Sequence, residues 1–106
     1  MSDESPVARW EVGAPIAGKL ASADVHRFQQ SVGGRSYTFT ITASPNSISA
    51  RLNVGSGGSS RLMNVASGGG EHVTLMCGCR PGDTVELVVS TVGRPTAYTF
   101  TVSEGR

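Results

Sequence analysis

Apolar and hydroxyl-bearing side chains alternate residue by residue over much of this chain. In residues 36–42, Tyr37, Phe39 and Ile41 alternate with serine and threonine. Residues 97–103 repeat this order of residue types almost position by position. A period of two places alternate side chains on opposite faces of a strand, so both segments are predicted to be half-buried antiparallel strands. No segment keeps a helical period. The best helical candidate, residues 21–30, also fits a strand.

The rest of the chain continues this pattern of short strands and turns. Further strands are predicted at 47–54, 71–77 and 84–92, with weaker candidates at 8–12, 16–20, 25–30 and 61–66. Glycine and proline favour turns between them, and residues 55–60 and 68–70 are predicted to be glycine-rich loops. Strands that recur every 8–12 residues are typical of a sandwich or barrel. We therefore predict an all-β fold: a single antiparallel β-sandwich, jelly-roll-like, with eight to nine strands.

Length and charge restrict the organisation and the partners. The 106 residues correspond to one domain, in which residues 1–14 form an N-terminal arm and possible first strand, and residues 15–106 form the sandwich. The net charge of +1 argues against general nucleic-acid binding. No apolar run approaches ~18 residues, so no membrane span is expected. The polar and acidic start, Met1 to Ser5, is not typical of a secretory signal.

The inward positions of the predicted strands define a candidate core. Aromatic and aliphatic side chains at these positions should be largely buried, because they provide most of the apolar surface. The predicted core residues are Phe28, Tyr37, Phe39, Ile41, Leu52, Leu75, Leu87, Tyr98 and Phe100.

The sequence carries no catalytic signature. It has neither a Gly-x-Ser-x-Gly elbow nor a phosphate loop, and Asp24 and Asp83 are expected to bond their local backbone. We expect no enzyme activity and no cofactor. Cys77-Gly78-Cys79 has three interpretations: two reduced thiols at a strand end, a disulfide closed by a bend at Gly78, or half of a metal site. The reduced pair is favoured.

Four residues are candidates for binding. Ser49, Arg51 and Asn53 should project from the outer face of a central strand, where they could hydrogen-bond a carbohydrate or a protein backbone. The alternative for these three is an ordinary solvated face. Trp10, the only tryptophan, is either an exposed anchor for a sugar or partner, or a residue that packs at the edge of the core.

The order of turns and strands from about Pro15 to Val102 resembles a known family. Its features are Gly18-Lys19-Leu20, the Asp24 to Phe28 strand, the Gly33-Gly34 turn, Pro81-Gly82-Asp83, the strand from Val85 to Val89, and the strand from Tyr98 to Val102. In this order they resemble the bacterial pre-peptidase C-terminal domain, a relative of collagenase collagen-binding domains. The chain departs from the family at His26, where a second acid is usual, and in the strand around Leu52, which lacks acids.

The resemblance implies a non-catalytic accessory module that recognises a protein or polysaccharide surface, outside the cell or at its surface. Calcium sites in collagen-binding relatives use acidic side chains near the N-terminus, for which Asp3, Glu4, Glu11 and Asp24 are the candidates; we expect no metal here. One alternative is a structural subunit of a surface or virion assembly that self-associates through strand edges or the N-terminal arm. A further alternative is a protease inhibitor that presents the glycine-rich loops.

Overall fold

The described part of the chain consists of strands and their connections. The structure, a computed structural model, describes residues 9–21, 24–55, 62–91 and 94–105. Within these ranges there is no helix, and hence no helix that could cross a membrane. The strands are β1 (Ile16–Leu20), β2 (Val25–Ser31), β3 (Ser36–Ser44), β4 (Ile48–Gly55), β5 (Met63–Gly70), β6 (His72–Gly78), β7 (Thr84–Thr91) and β8 (Thr96–Glu104).

Two four-stranded antiparallel sheets pack face to face. One sheet has the order β1-β8-β3-β6 and the other has the order β2-β7-β4-β5. Apart from the β4–β5 pair, each strand is followed in the chain by a strand of the opposite sheet. Eight strands wound in this way form a jelly roll. The prediction of a single antiparallel β-sandwich with jelly-roll character is confirmed.

One loop prediction and one strand prediction are wrong. Gly68, Gly69 and Gly70 lie within β5 and pair with residues 48–50 of β4. A side chain at Gly68 would place its Cβ 3.2 Å from Cγ1 of Val73 in β6. The glycine therefore lets the edge strand β5 lie close to β6 of the opposite sheet. In the 8–12 segment, the described residues make only an isolated bridge between Val12 and Val102. Of the other proposed loop, 55–60, Gly55 is the last residue of β4, and residues 56–60 lie outside the described residues.

The core lies between the inward faces of the two sheets. All nine predicted core residues are buried. Phe28 of β2 meets Phe100 of β8 edge to face at 4.9 Å and so links the two layers, and Phe39 of β3, in the same sheet as Phe100, lies 6.5 Å from it. Edge-to-face geometry is the favourable arrangement for such rings. All six aromatic side chains of the protein belong to this core.

A tyrosine and a glycine fit together at one side of the sandwich. Tyr98 and Gly18 are cross-strand partners, and a Cβ built on Gly18 would lie 2.6 Å from Tyr98 Cζ. The absent side chain at Gly18 therefore makes room for the tyrosine ring. The Tyr98 hydroxyl lies 2.7 Å from His26 Nδ1 and forms a hydrogen bond that joins the two sheets. Burial raises the pKa of Tyr98 to about 12.

Replacement of Phe100 by alanine should lower the free energy of unfolding by about 3–5 kcal/mol, because a buried ring is lost and a cavity remains. Its exposed neighbour Thr101, on the opposite face of β8, provides the control, and Thr101→Ala should change stability by less than about 1 kcal/mol. Urea denaturation measures both values. Equal stability of Phe100→Ala and the unmodified protein would contradict this core.

Stability should fall at alkaline pH because of Tyr98. Its pKa is about 12 in the folded protein against 10.0 ordinarily, so the stabilisation is complete below pH 10 and is lost as the pH rises through 12. Between pH 9 and pH 11.5 the loss should be about 2 kcal/mol. Tyr98→Phe keeps the ring but cannot ionise, so its stability should vary less over this range. Urea melts of both proteins at pH 9 and pH 11.5 measure how much unfolding free energy each one loses. An equal loss in the two proteins would contradict the assignment.

Candidate binding surface

Strand pairing places two arginines on the outer face of the β2-β7-β4-β5 sheet. Arg27 of β2 is opposite Val88 of β7, Val88 is opposite Arg51 of β4, and Arg51 is opposite Ser67 of β5. These four residues form a row across the whole sheet, which we call the arginine row. Their inward-facing neighbours, including Phe28 and Leu52, are buried, so the arginine row faces away from the core.

The adjacent row contains small side chains. Val25, Ser90, Ser49 and Gly69 follow one another across the same four strands. Because serine and glycine rise little above the sheet, the arginines beside them border a depression of about 500 Å³. We call this depression, formed by the two rows, the outer groove.

Both arginines of the outer groove have free guanidinium groups. Arg27 and Arg51 are exposed, and neither makes a hydrogen bond or ion pair with another described residue. The ion pair seen in the described ranges is at another site, where Arg35 Nε lies 3.9 Å from Glu104 Oε2. The outer groove therefore presents two uncompensated positive charges.

The third row contains a buried carboxylate. Glu86 of β7 is only 6% exposed, although it lies on the outer face. Gln29 Nε2 donates to its Oε2 at 2.6 Å, and Asn53 Nδ2 donates to its Oε1 at 3.0 Å. Asn64 Nδ2 in turn donates to Asn53 Oδ1 at 3.3 Å. Amide donors thus satisfy the carboxylate, as a buried charge requires.

The structure places the four predicted binding residues in three different environments. Ser49 and Arg51 face outward from a central strand, as predicted, and both line the outer groove. Asn53 is on the same face, but its amide is committed to Glu86 and is not free for a ligand.

Trp10 is a core residue, with 1% of its surface exposed. Its Nε1 donates to the Val85 carbonyl at 3.1 Å, and its ring meets Tyr37 and Phe39 edge to face. An exposed stacking platform is therefore ruled out at Trp10. The indole therefore connects the two sheets. Its ring packs on aromatic side chains of β3, and its single donor bonds the backbone of β7.

Sequence reasoning missed three polar residues of the outer groove. Arg27, Ser67 and Ser90 join Ser49 and Arg51 only through the pairing of β2, β5 and β7 with β4. The sequence does indicate the direction of Arg27, because a residue that directly precedes the inward-facing Phe28 in a strand must face outward. Its nearness to Arg51 depends on the order of strands in the sheet.

The two cysteines are free and close together at the end of β6. Cys77 Sγ lies 3.7 Å from Cys79 Sγ, and Cys77 is buried while Cys79 is half-buried. Burial, and then the contact with Cys79, raises the pKa of Cys77 to about 12. Burial also raises the pKa of Cys79, although its contact with Cys77 opposes the shift. Both groups are protonated thiols at neutral pH.

The described residues contain no group of three or more His, Cys, Asp and Glu side chains able to hold a metal ion. Of the acidic residues considered for calcium, Asp3 and Glu4 lie outside the described ranges. Asp24 accepts a hydrogen bond from the Ala21 amide at 2.8 Å. Asp83 likewise accepts one from the Arg80 amide at 2.9 Å, so both side chains stabilise local turns, as predicted.

No protein-family model matches the chain, and no curated protein matches it.

The two thiols should differ in reactivity. With a pKa of about 12, Cys77 should be alkylated by iodoacetamide at a rate that still rises about tenfold per pH unit between about pH 8 and 10, where an ordinary thiol levels off. Cys79, which is more exposed, should react first. Mass spectrometry of peptides from the native protein measures both rates, with Cys79→Ser as a control that isolates Cys77. A rate at Cys77 that levels off near pH 9 would contradict the assignment.

Proposed function

We propose that this protein is a non-catalytic binding module and that it recognises its ligand, a protein or polysaccharide surface, across the outer groove. The observation that carries the proposal is the pair of unpaired arginines, Arg27 and Arg51, beside three serine hydroxyls on one sheet face. Arginine combines a flat apolar area with directional donors, and it is enriched among residues that dominate binding energies.

The scaffold beneath the outer groove supports this proposal. β7 and β4 are the inner strands of the sheet, and each is paired on both sides. Their inward side chains, among them Ala50, Leu87 and Val89, are almost completely buried. Ser49 and Arg51 of β4 and Ser90 of β7 are therefore held in place before the ligand arrives, which reduces the entropy lost on binding.

The chemistry of the outer groove favours binding over catalysis. Its polar groups are serine hydroxyls and guanidinium groups, and neither histidine lies within it: His26 faces Tyr98 between the sheets, and His72 belongs to β6. A serine without an adjacent base is a weak nucleophile. The order of turns and strands, which resembles the pre-peptidase C-terminal domain, supports an accessory module that works outside the cell or at its surface.

A second candidate function, a structural subunit that self-associates, has one observation in its favour. The edge strand β5 carries two exposed apolar side chains, Met63 at 67% and Val65 at 53% exposure. An edge strand also offers unpaired backbone groups to a neighbour. The third alternative, a protease inhibitor, loses one of its two proposed loops, because Gly68–Gly70 is paired with β4.

Filling the outer groove should weaken binding. Ser49→Tyr places a large side chain in the depression, whereas Thr40→Tyr places the same side chain on the exposed outer face of β3 in the other sheet. Binding to a panel of matrix proteins and polysaccharides should weaken at least about tenfold in Ser49→Tyr and remain unchanged in Thr40→Tyr.

Thermal melts should show that both variants fold, and light scattering on the same samples measures the oligomeric mass. A ligand that binds equally well to both variants would contradict the outer groove as the binding surface. A large regular oligomer that is dissociated by Val65→Lys, together with no binding to any member of the panel, would favour the structural subunit.

A further inference from the structure

We propose that the ligand of the outer groove is a linear acidic polysaccharide that carries carboxylate or sulfate groups along its chain. This inference rests on the proposed function and specifies its ligand. It depends on the spacing of the two arginines, on the burial of every aromatic ring, and on the polar groups that the sheet face presents.

The two arginines are placed to bind two anionic groups of one chain. Arg27 and Arg51 lie on either side of Val88, two strand spacings apart, which corresponds to roughly 10 Å between their backbones. Each guanidinium can form a bidentate pair with a carboxylate or a sulfate. A ligand that crosses the strands along the arginine row would therefore meet two positive charges separated by an uncharged, half-buried valine.

The burial of the aromatic side chains argues against an uncharged sugar chain. Protein sites for neutral polysaccharides commonly stack sugar rings on exposed aromatic side chains. Here the one tryptophan, two tyrosines and three phenylalanines are all in the core. Single-stranded nucleic acids also depend on stacking, so the same fact disfavours them. Charge is the main source of affinity that this face offers.

Hydroxyl groups complete the polar surface. Ser49, Ser67 and Ser90 all line the outer groove. Each hydroxyl both donates and accepts, which suits the hydroxyl groups and ring oxygens of a sugar chain. An acidic peptide would gain most from backbone pairing at a sheet edge, whereas the outer groove lies on the face of the sheet, where a ligand meets side chains rather than unpaired backbone groups. The face therefore favours an acidic polysaccharide over an acidic peptide.

The Glu86 row limits the path of the ligand. Gln29 and Asn53 hold this carboxylate on the side of the arginine row away from the small-residue row. A polyanion that ran along the strands would approach Glu86 and be repelled. A polyanion that crosses the strands keeps its charges near Arg27 and Arg51, so the crossing direction is favoured.

The test compares two double variants that remove the same charge. Arg27→Gln with Arg51→Gln removes both positive charges of the outer groove. Arg35→Gln with Arg80→Gln changes the net charge equally, but these exposed arginines lie in the connections before β3 and after β6. The probes are polygalacturonate for carboxylates, dextran sulfate for sulfates, uncharged dextran, and polyglutamate as an acidic peptide.

We expect the unmodified protein to bind at least one acidic polysaccharide, and to bind dextran and polyglutamate at least about tenfold more weakly. The groove variant should lose at least about tenfold in affinity for the acidic polysaccharide, since two charge-assisted contacts are removed. The control should stay within about twofold, and added salt should weaken binding by the unmodified protein. Isothermal titration gives these constants, and urea melts check that both variants fold.

Three results would overturn the inference. They are an absence of binding to either acidic polysaccharide, an equal loss in the control variant, and polyglutamate binding as tight as that of the polysaccharides. The Ser49→Tyr variant separates this failure from failure of the proposed function. A ligand that is blocked by Ser49→Tyr but unaffected by loss of both arginines would keep the outer groove as the binding surface and remove the acidic polysaccharide as its ligand.

Discussion

The contact between Phe28 and Phe100 is the interaction on which the rest of the molecule depends. The two rings belong to opposite sheets and meet at 4.9 Å in the core. Because side chains alternate along a strand, an inward Phe28 makes Arg27 face outward. A shift of one residue in β2 would bury the guanidinium and expose the ring, so core packing fixes the register strongly. The position of the groove arginine is thus a consequence of the core.

The sequence predicts much of the fold and two of the five polar residues of the outer groove. Alternation located most of the strands, the nine core residues and the outward direction of Ser49 and Arg51, but it missed the glycine-rich end of β5. It could not place Arg27 beside them, because β2 and β4 come together only through β7, which follows both in the chain. For Trp10 the sequence left an exposed anchor and a core residue both open, because a lone tryptophan before the first strand carries no period from which its direction can be derived, and the structure shows the core residue.

Glu86 shows how a polar face can be organised around one buried charge. A carboxylate at 6% exposure needs donors, and Gln29 and Asn53 supply them from the strands on either side. Asn53 therefore supports the sheet, although its outward position predicted a role in binding. With its negative charge occupied by these amides, Glu86 makes no ion pair with either arginine, and both guanidinium groups remain available to a ligand.

The exposed apolar residues of β5 have a local cause. The pairing of β4 with β5 shifts between Leu52 and Asn53, so that Leu52 faces Ala66 while Asn53 faces Asn64 and Val65 is the extra residue of a β-bulge. Asn64 Nδ2 fills the irregularity by donating to the carbonyl groups of Leu52 and Ala66. Since bulges interrupt the regular edge that a neighbouring strand needs, the exposure of Val65 is better explained by the bulge than by self-association. The same strand is regular again at Ser67 and Gly69, where it borders the outer groove, so the bulge leaves the surface of the outer groove undisturbed.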